Sequence, residues 1–131
     1  MIVVDTNVLA YLLIPGTHTE TAERLLLADG QWATPRLWRS ELRNVLATYV
    51  RRDALELTDA IALHRRASEL IGESEYEVPT SDVLRLSRDS GCSAYDCEFV
   101  ALAEHLDVAL VTADARLARA FASRARLLGS A

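Results

Sequence analysis

The sequence predicts an α/β fold, a three-layer α/β/α sandwich around a mainly parallel central sheet. Three observations carry that expectation. Short apolar runs such as "IVV" and "VALVT" recur along the chain, and amphipathic segments of helical length separate them. Strands joined by covering helices pair in parallel and are buried on both faces. The chain has 131 residues, half of them hydrophobic, which is enough for one domain with a sizeable core. No repeat, low-complexity stretch or linker divides it, so residues 1–131 read as a single domain.

The elements follow in order. Ile2, Val3 and Val4 read as a buried strand leading into a helix over Val8 to Leu13, which Pro15-Gly16 breaks. A second helix is expected from Glu20 to Ala28, with Asp29-Gly30 as its exit. "QWAT" is a short strand. Pro35 then suits the first turn of a long helix reaching Arg52, because proline lacks the N–H that position leaves unbonded. "LTDAIALHRRASELIG" is a helix with Thr58 as N-cap and Gly72 as stop. "YEVP" reads as a strand, Thr80 to Ser90 as a helix ended by Gly91, and "SAYDCEFVALAEHL" as a helix capped by Ser93. "VALVT" is the clearest strand, Asp114 to Phe121 is helical, and "ARLL" is a last edge strand.

Composition narrows the function classes. No apolar run reaches the roughly 18–20 residues of a membrane span. The first residues form a strand rather than a charged and apolar leader, which points to the cytoplasm. Cys92 and Cys97 are the only cysteines, their spacing is not Cys-x-x-Cys, and His18, His64 and His105 form no ligand pattern with them. Two free thiols are expected. All fourteen basic residues are arginine, and the net charge of −5 argues against a general nucleic-acid binder while allowing a local basic rim.

Four carboxylates stand where apolar residues or caps are expected. Asp5 ends the first strand. Along the long helix, Glu41 shares an arc with Leu37, Trp38 and Val45, while Arg36, Arg39 and Arg43 cluster on the other side. Asp96 aligns with Phe99, Val100 and Ala103, and Glu98 points the opposite way. Asp114 follows "VALVT". Each has an ordinary reading: Asp5 and Asp114 as N-caps, Ser93-x-x-Asp96 as a capping box, Glu41 as a salt-bridge partner. Taken together they suggest convergence. Asp5 and Asp114 end parallel strands at the same sheet edge, where ligand sites of open α/β sheets lie. Carboxylates brought together repel unless protons or cations intervene, and an oxygen-only donor set suits Mg²⁺ or Mn²⁺. Such an ion can activate water against a phosphodiester. No Gly-x-Ser-x-Gly elbow, P-loop or Gly-x-Gly-x-x-Gly is present. An aspartyl-phosphate enzyme or receiver-like protein stays open, since "DTN" follows an apolar strand, although Asn7 stands where such enzymes carry a second Asp.

Three stretches, "VVDTNVLAYLL", "SELRNVLATYVRR" and "SAYDCEFVALAEHLDVALVTAD", together resemble a PIN-domain ribonuclease, in particular the toxin subunit of VapBC-type toxin–antitoxin modules. The resemblance implies a metal site made by Asp5, Glu41, Asp96 and Asp114 holding Mg²⁺ or Mn²⁺, with Thr6, Asn7 and Thr112 supporting the acids or a bound phosphate. It implies cleavage of RNA, with tRNA or another structured RNA as the target class, and products bearing 5′-phosphate and 3′-hydroxyl ends. It also implies a cognate antitoxin and a homodimer. Tyr11, Leu12, Leu25 and Leu26 are candidates for an apolar partner groove, with ordinary core as the alternative. Arg36, Arg39 and Arg43 are candidates for phosphate contacts, with a solvated helix face as the alternative. A degenerate relative that binds RNA or protein without catalysis is the second reading.

Overall fold

The structure, a computed structural model, describes residues 1–130. Its elements are β1 (Ile2–Val4), α1 (Thr6–Leu13), α2 (Thr19–Ala28), β2 (Trp32–Pro35), α3 (Trp38–Arg51), α4 (Leu57–Ile71), β3 (Glu75–Tyr76), α5 (Thr80–Ser90), α6 (Ala94–Leu106), β4 (Leu110–Thr112), α7 (Ala115–Ala120) and β5 (Ala125–Leu127). The sheet order is β3-β2-β1-β4-β5, and every neighbouring pair is parallel. The chain therefore builds outward from β1 in one direction through β2 and β3. It then returns to the other side of β1 for β4 and β5. The strand order reverses between β1 and β4, and a crevice opens at the carboxyl ends of strands at such a point.

The alternation of side chains along β1 sorts the core into two layers. Ile2 and Val4 join one cluster with Leu9, Trp38, Leu42 and Leu46, beneath α1 to α4. Val3 faces the other way and joins Leu86, Phe99, Val100, Leu102 and Leu117, beneath α5 to α7. Burying each large apolar side chain of this kind contributes roughly 1.5–3 kcal/mol. Helix α6 is buried on most of its girth: Cys97 and the run from Phe99 to Ala103 are all inside. Cys92 and Cys97 are buried free thiols. Gly91 ends α5 at φ +76°, a left-handed turn that other residues adopt only with strain. Among the described residues, no helix is long and apolar enough to cross a membrane.

Four local expectations are corrected. Helix α1 begins at Thr6 rather than Val8, because Asp5 caps it by accepting the Val8 N–H at 3.1 Å. Pro35 closes β2 instead of opening the long helix, which starts at Trp38. Helix α4 starts at Leu57, so Thr58 is already inside it, and Glu56 at the cap position makes no side-chain capping bond. The third strand is Glu75–Tyr76 rather than "YEVP". Thr34 and Pro35 of β2 pair with those two residues, and Pro79, without an N–H to offer a ladder, leads into α5.

The two-residue strand β3 is held by backbone bonds to β2, Thr34 N–H to Ser74 and Arg36 N–H to Tyr76, and by one side chain. Glu75, 12 % exposed, accepts the Trp38 indole N–H and the Arg39 Nε–H, both at 2.6 Å, and a longer 3.4 Å contact from exposed Arg36. Arg39 also stacks over the Trp38 ring at 5.0 Å and donates to Ser68 of α4. Burial by itself would raise the Glu75 carboxyl, but the Trp38 and Arg39 hydrogen bonds and the Arg39 charge outweigh it and hold it below the usual 4.5. Because the folded value is the lower one, this contribution is present above pH 4.5 and is lost as pH falls through the folded value. Glu75→Gln is expected to cost about 1–3 kcal/mol at pH 7. Urea unfolding of both proteins from pH 7 to pH 3 checks this, with the two curves converging at the acid end.

Candidate active site

Register brings the first two acids together. Val3 pairs with Leu110 and Val4 with Val111, so Asp5 stands beside Thr112 at the reversal point. Thr112 is fully buried. Its hydroxyl donates to Asp5 Oδ2 and accepts the Asp114 N–H at 3.0 Å. The Ala113 N–H adds a third bond to the Asp5 carboxylate at 3.1 Å. Asp114 caps α7 by accepting the Arg116 and Leu117 N–H groups on Oδ1. Across the crevice, Thr6 donates to Glu41 Oε1 at 2.7 Å and ties α1 to α3. Ser93 caps α6 through the Asp96 N–H, which leaves the Asp96 carboxylate out of the cap.

Asp5, Glu41, Asp96 and Asp114 all line one cleft of about 520 Å³, together with Thr6 and Asn7. Asp5 and Asp114 therefore cap their helices and line the cleft at once: the cap on Asp114 uses only Oδ1, whereas at Asp5 Oδ1 takes the cap and Oδ2 takes Thr112 and Ala113. Thr112 lies beneath the cleft as a support. Ser40, Asn44, Tyr95 and Phe99 complete the lining. Asn44 lies one helical turn beyond Glu41, so helical phase could have found it. Tyr95 carries no such signal.

The electrostatics match a crowded acidic site. Burial pushes the Asp5 carboxyl up; its three hydrogen bonds oppose this, and the Asp96 charge adds to the rise. Burial likewise raises Glu41, against the Thr6 hydrogen bond, and the charges of Asp96, Asp5 and Glu98 raise it further. Among the described residues, no donor reaches the Asp96 carboxylate, and no three His, Cys, Asp or Glu side chains form a finished ligand group. The free oxygens of Asp96, Glu41 and Asp114 nonetheless border one space. An ion such as Mg²⁺ needs only one or two protein carboxylates, because it keeps several waters and takes substrate oxygens. The donor set fits it.

Three placements differ from expectation. Trp38 packs in the core, while Leu37 and Val45 accompany Glu41 at the cleft. Glu98 is half-buried rather than turned to solvent. Burial raises its carboxyl, and its charge reaches Glu41, because α6 is covered on nearly every side. None of Arg36, Arg39 and Arg43 lines the cleft. Arg36 and Arg39 pair with Glu75, Arg36 also with Glu77, and Arg43 borders a larger apolar cavity of about 580 Å³ between α3 and α4. That cavity has no carboxylate among its described lining residues, so the four acids belong to the smaller cleft alone. Of the partner-groove candidates, Leu25 is core yet borders a cavity beside β5, Leu12 and Leu26 pack partly buried against the core, and Tyr11 borders a cavity between α1 and α3.

The family model for the PIN domain matches residues 2–122. The chain belongs to the PIN-domain family. This PIN domain is 30 % identical over 123 residues to Ribonuclease VapC3 of Pyrobaculum aerophilum, covering 92 % of this chain and 94 % of that protein. It is 37 % identical over 121 residues to Ribonuclease VapC9 of Mycobacterium tuberculosis, covering 89 % and 88 %. Its fold is similar to the crystal structure of PAE2754 from Pyrobaculum aerophilum, with a TM-score of 0.75 at 21 % identity over 95 % of this chain and 81 % of that one. It is also similar to a chain of a toxin–antitoxin complex from Klebsiella pneumoniae, with a TM-score of 0.65 at 16 % identity over 93 % and 91 %.

The repulsion within the cleft has a measurable sign. Glu41 has a folded value above its usual 4.5, so its ionisation opposes folding: this one group's contribution to stability is fully present below pH 4.5 and is lost as pH rises through the folded value. Glu41→Gln removes the charge and keeps an oxygen for the Thr6 hydroxyl. Melting in EDTA at pH 7 is expected to show the variant equal to wild type or more stable by about 1 kcal/mol. That difference is expected to vanish below pH 4.5.

Proposed function

We propose that this PIN domain is a metal-dependent endoribonuclease and the toxin of a toxin–antitoxin pair. The observation that carries the reading is the convergence of Asp5, Glu41, Asp96 and Asp114 on one cleft at the reversal point of the sheet. The names of the relatives, Ribonuclease VapC3 and Ribonuclease VapC9, support RNA as the substrate. The toxin–antitoxin complex among the similar structures supports an antitoxin as partner. Asp96, Asp114, Glu41 and Asp5 would hold Mg²⁺ or Mn²⁺. Such an ion supplies an activated water and neutralises charge on the phosphodiester oxygens.

The chain's own residues do the remaining work. Thr112 holds Asp5 in place and shields its charge from the buried layer. Thr6 orients Glu41. The cap on Asp114 Oδ1 fixes that side chain so that its other oxygen is left for the cleft. Asn7, exposed at the rim, is placed to bond a substrate oxygen. A homodimer and a structured RNA such as tRNA belong to the same reading.

Cleavage of RNA is expected with Mg²⁺ or Mn²⁺, and its loss with EDTA. Asp96→Asn is expected to lower cleavage by orders of magnitude, while Asp59→Asn on exposed α4 leaves it intact. Mg²⁺ should also raise the melting temperature of wild type more than that of Asp96→Asn, since a ligand that binds only the folded state stabilises it by mass action. Undiminished cleavage by metal-free protein would end this reading. A phosphoryl group trapped on Asp5 would favour the aspartyl-phosphate class.

A further inference from the structure

A second, smaller cavity lies beside the acidic cleft. It has a volume of about 210 Å³ and lies between α1, α3 and the turn that joins α1 to α2. Asn7 and Val45 border both spaces, so the two are adjacent. Its character differs from that of the cleft. Among its described lining residues there is no carboxylate and no arginine. Three of its walls are rings: Tyr11, His18 and Tyr49. The chain has only four tyrosines and three histidines, so this is a concentration of rings at one place.

Helical spacing explains how the rings reach the cleft. Asn7 and Tyr11 are four residues apart on α1. Glu41, Val45 and Tyr49 are spaced by four on α3. Each set lies along one helix face, so two ridges run from the acids to the rings. At 1.5 Å per residue, Tyr11 lies about 6 Å along α1 from Asn7, and Tyr49 about 12 Å along α3 from Glu41. A stacked nucleotide step is roughly 3.4 Å, so these rings lie about two to four steps from the cleft residues Asn7 and Glu41, and fewer where the strand is extended.

The rings are available. Tyr49 is 39 % exposed. His18 occupies the N-cap position of α2, yet its side chain makes no capping bond. Instead its ring lies against Tyr11, with centroids 4.5 Å apart and planes at 33°. The volume equals on the order of seven waters at ~30 Å³ each, a space for one planar ring system rather than a length of chain.

We infer that this cavity is a subsite for one unstacked base of the RNA strand, held against Tyr49 and the Tyr11–His18 pair while a phosphate a few nucleotides along the same strand lies in the acidic cleft. The inference rests on the ribonuclease reading above. Single-stranded RNA is recognised by splaying bases onto Tyr, Phe, Trp or His, and this stacking needs no charge. It therefore suits a protein of net charge −5 whose Arg36 and Arg39 are engaged with Glu75. A neutral aromatic cavity beside an acid-lined cleft takes the base and leaves the phosphate to the metal side. It also makes the enzyme select flexible loops or single strands, because a paired base would have to unstack first.

The test uses the full chain with Mg²⁺ and short single-stranded RNAs that it cuts, each carrying 2-aminopurine or an abasic site at one position near the cut. Tyr49 and His18 are surface side chains, so Tyr49→Ala and His18→Ala leave the core untouched. On mixing, before the strand is cut, wild type is expected to quench 2-aminopurine at one position and not at its neighbours. Tyr49→Ala is expected to abolish that quench and raise KM roughly tenfold with kcat within about twofold, and Tyr49→Phe to restore both. An abasic site at the quenched position should cost wild type the same factor and add nothing to Tyr49→Ala. If wild type cuts RNA and Tyr49→Ala and His18→Ala match it in KM and quench, the subsite is overturned while the ribonuclease reading stands. If wild type neither binds nor cuts RNA, both fall.

Discussion

The site depends on one buried contact, the bond from the Thr112 hydroxyl to the Asp5 carboxylate. It joins the ends of the two strands between which the sheet reverses its order. Thr112 has one proton to donate and spends it on Asp5; its oxygen accepts the Asp114 N–H. A fully buried hydroxyl with both functions used has its desolvation cost offset by those bonds and is left little freedom. It also couples the acid after β1 to the acid after β4, although they are far apart in sequence. The register of the parallel pair makes the contact possible, because Val4 against Val111 leaves Asp5 next to Thr112.

The acids are costly where they stand, and the fold distributes the cost. Asp5 is almost fully buried and would be strongly disfavoured as an anion without its three donors. Two of those donors are backbone N–H groups, one of them in the first turn of α1, where the helix dipole also favours negative charge. Asp114 is placed the same way at the start of α7. Helix capping and site construction are thus one device here. What remains, after burial itself, is mutual repulsion among carboxylates that face one space, which raises both Asp5 and Glu41. A divalent cation is the natural way to relieve it.

Positive charge is organised differently. The arginines nearest the start of α3 hold the edge strand β3 through Glu75, with the Trp38 indole as a third donor. That cluster closes one side of the sheet and fixes where α3 begins, and so where Glu41 points. The larger cavity bordered by Arg43 is separate from the acids and apolar in its lining.

Local pattern was enough for much of this. The strand and helix order, the parallel sheet, the stop at Gly91, the Ser93 cap and the four acids were all legible, because each rests on period, propensity or a residue's unsuitability for its neighbours. Helical phase carried Glu41 to the correct side of α3 with Leu37 and Val45. It failed for Trp38 and Glu98, because the width of the buried face depends on what packs around the helix, and α6 is covered almost all round. The true third strand, the idle Thr58 and the engaged Arg36 and Arg39 were not legible either. Each depends on a partner distant in sequence: β2 for the strand, Glu75 for the arginines. The sequence by itself determined which residue types were available to make an acidic site. Only the tertiary structure decided that they meet, because a parallel sheet joins strand ends through register and order, and neither is written in local periodicity.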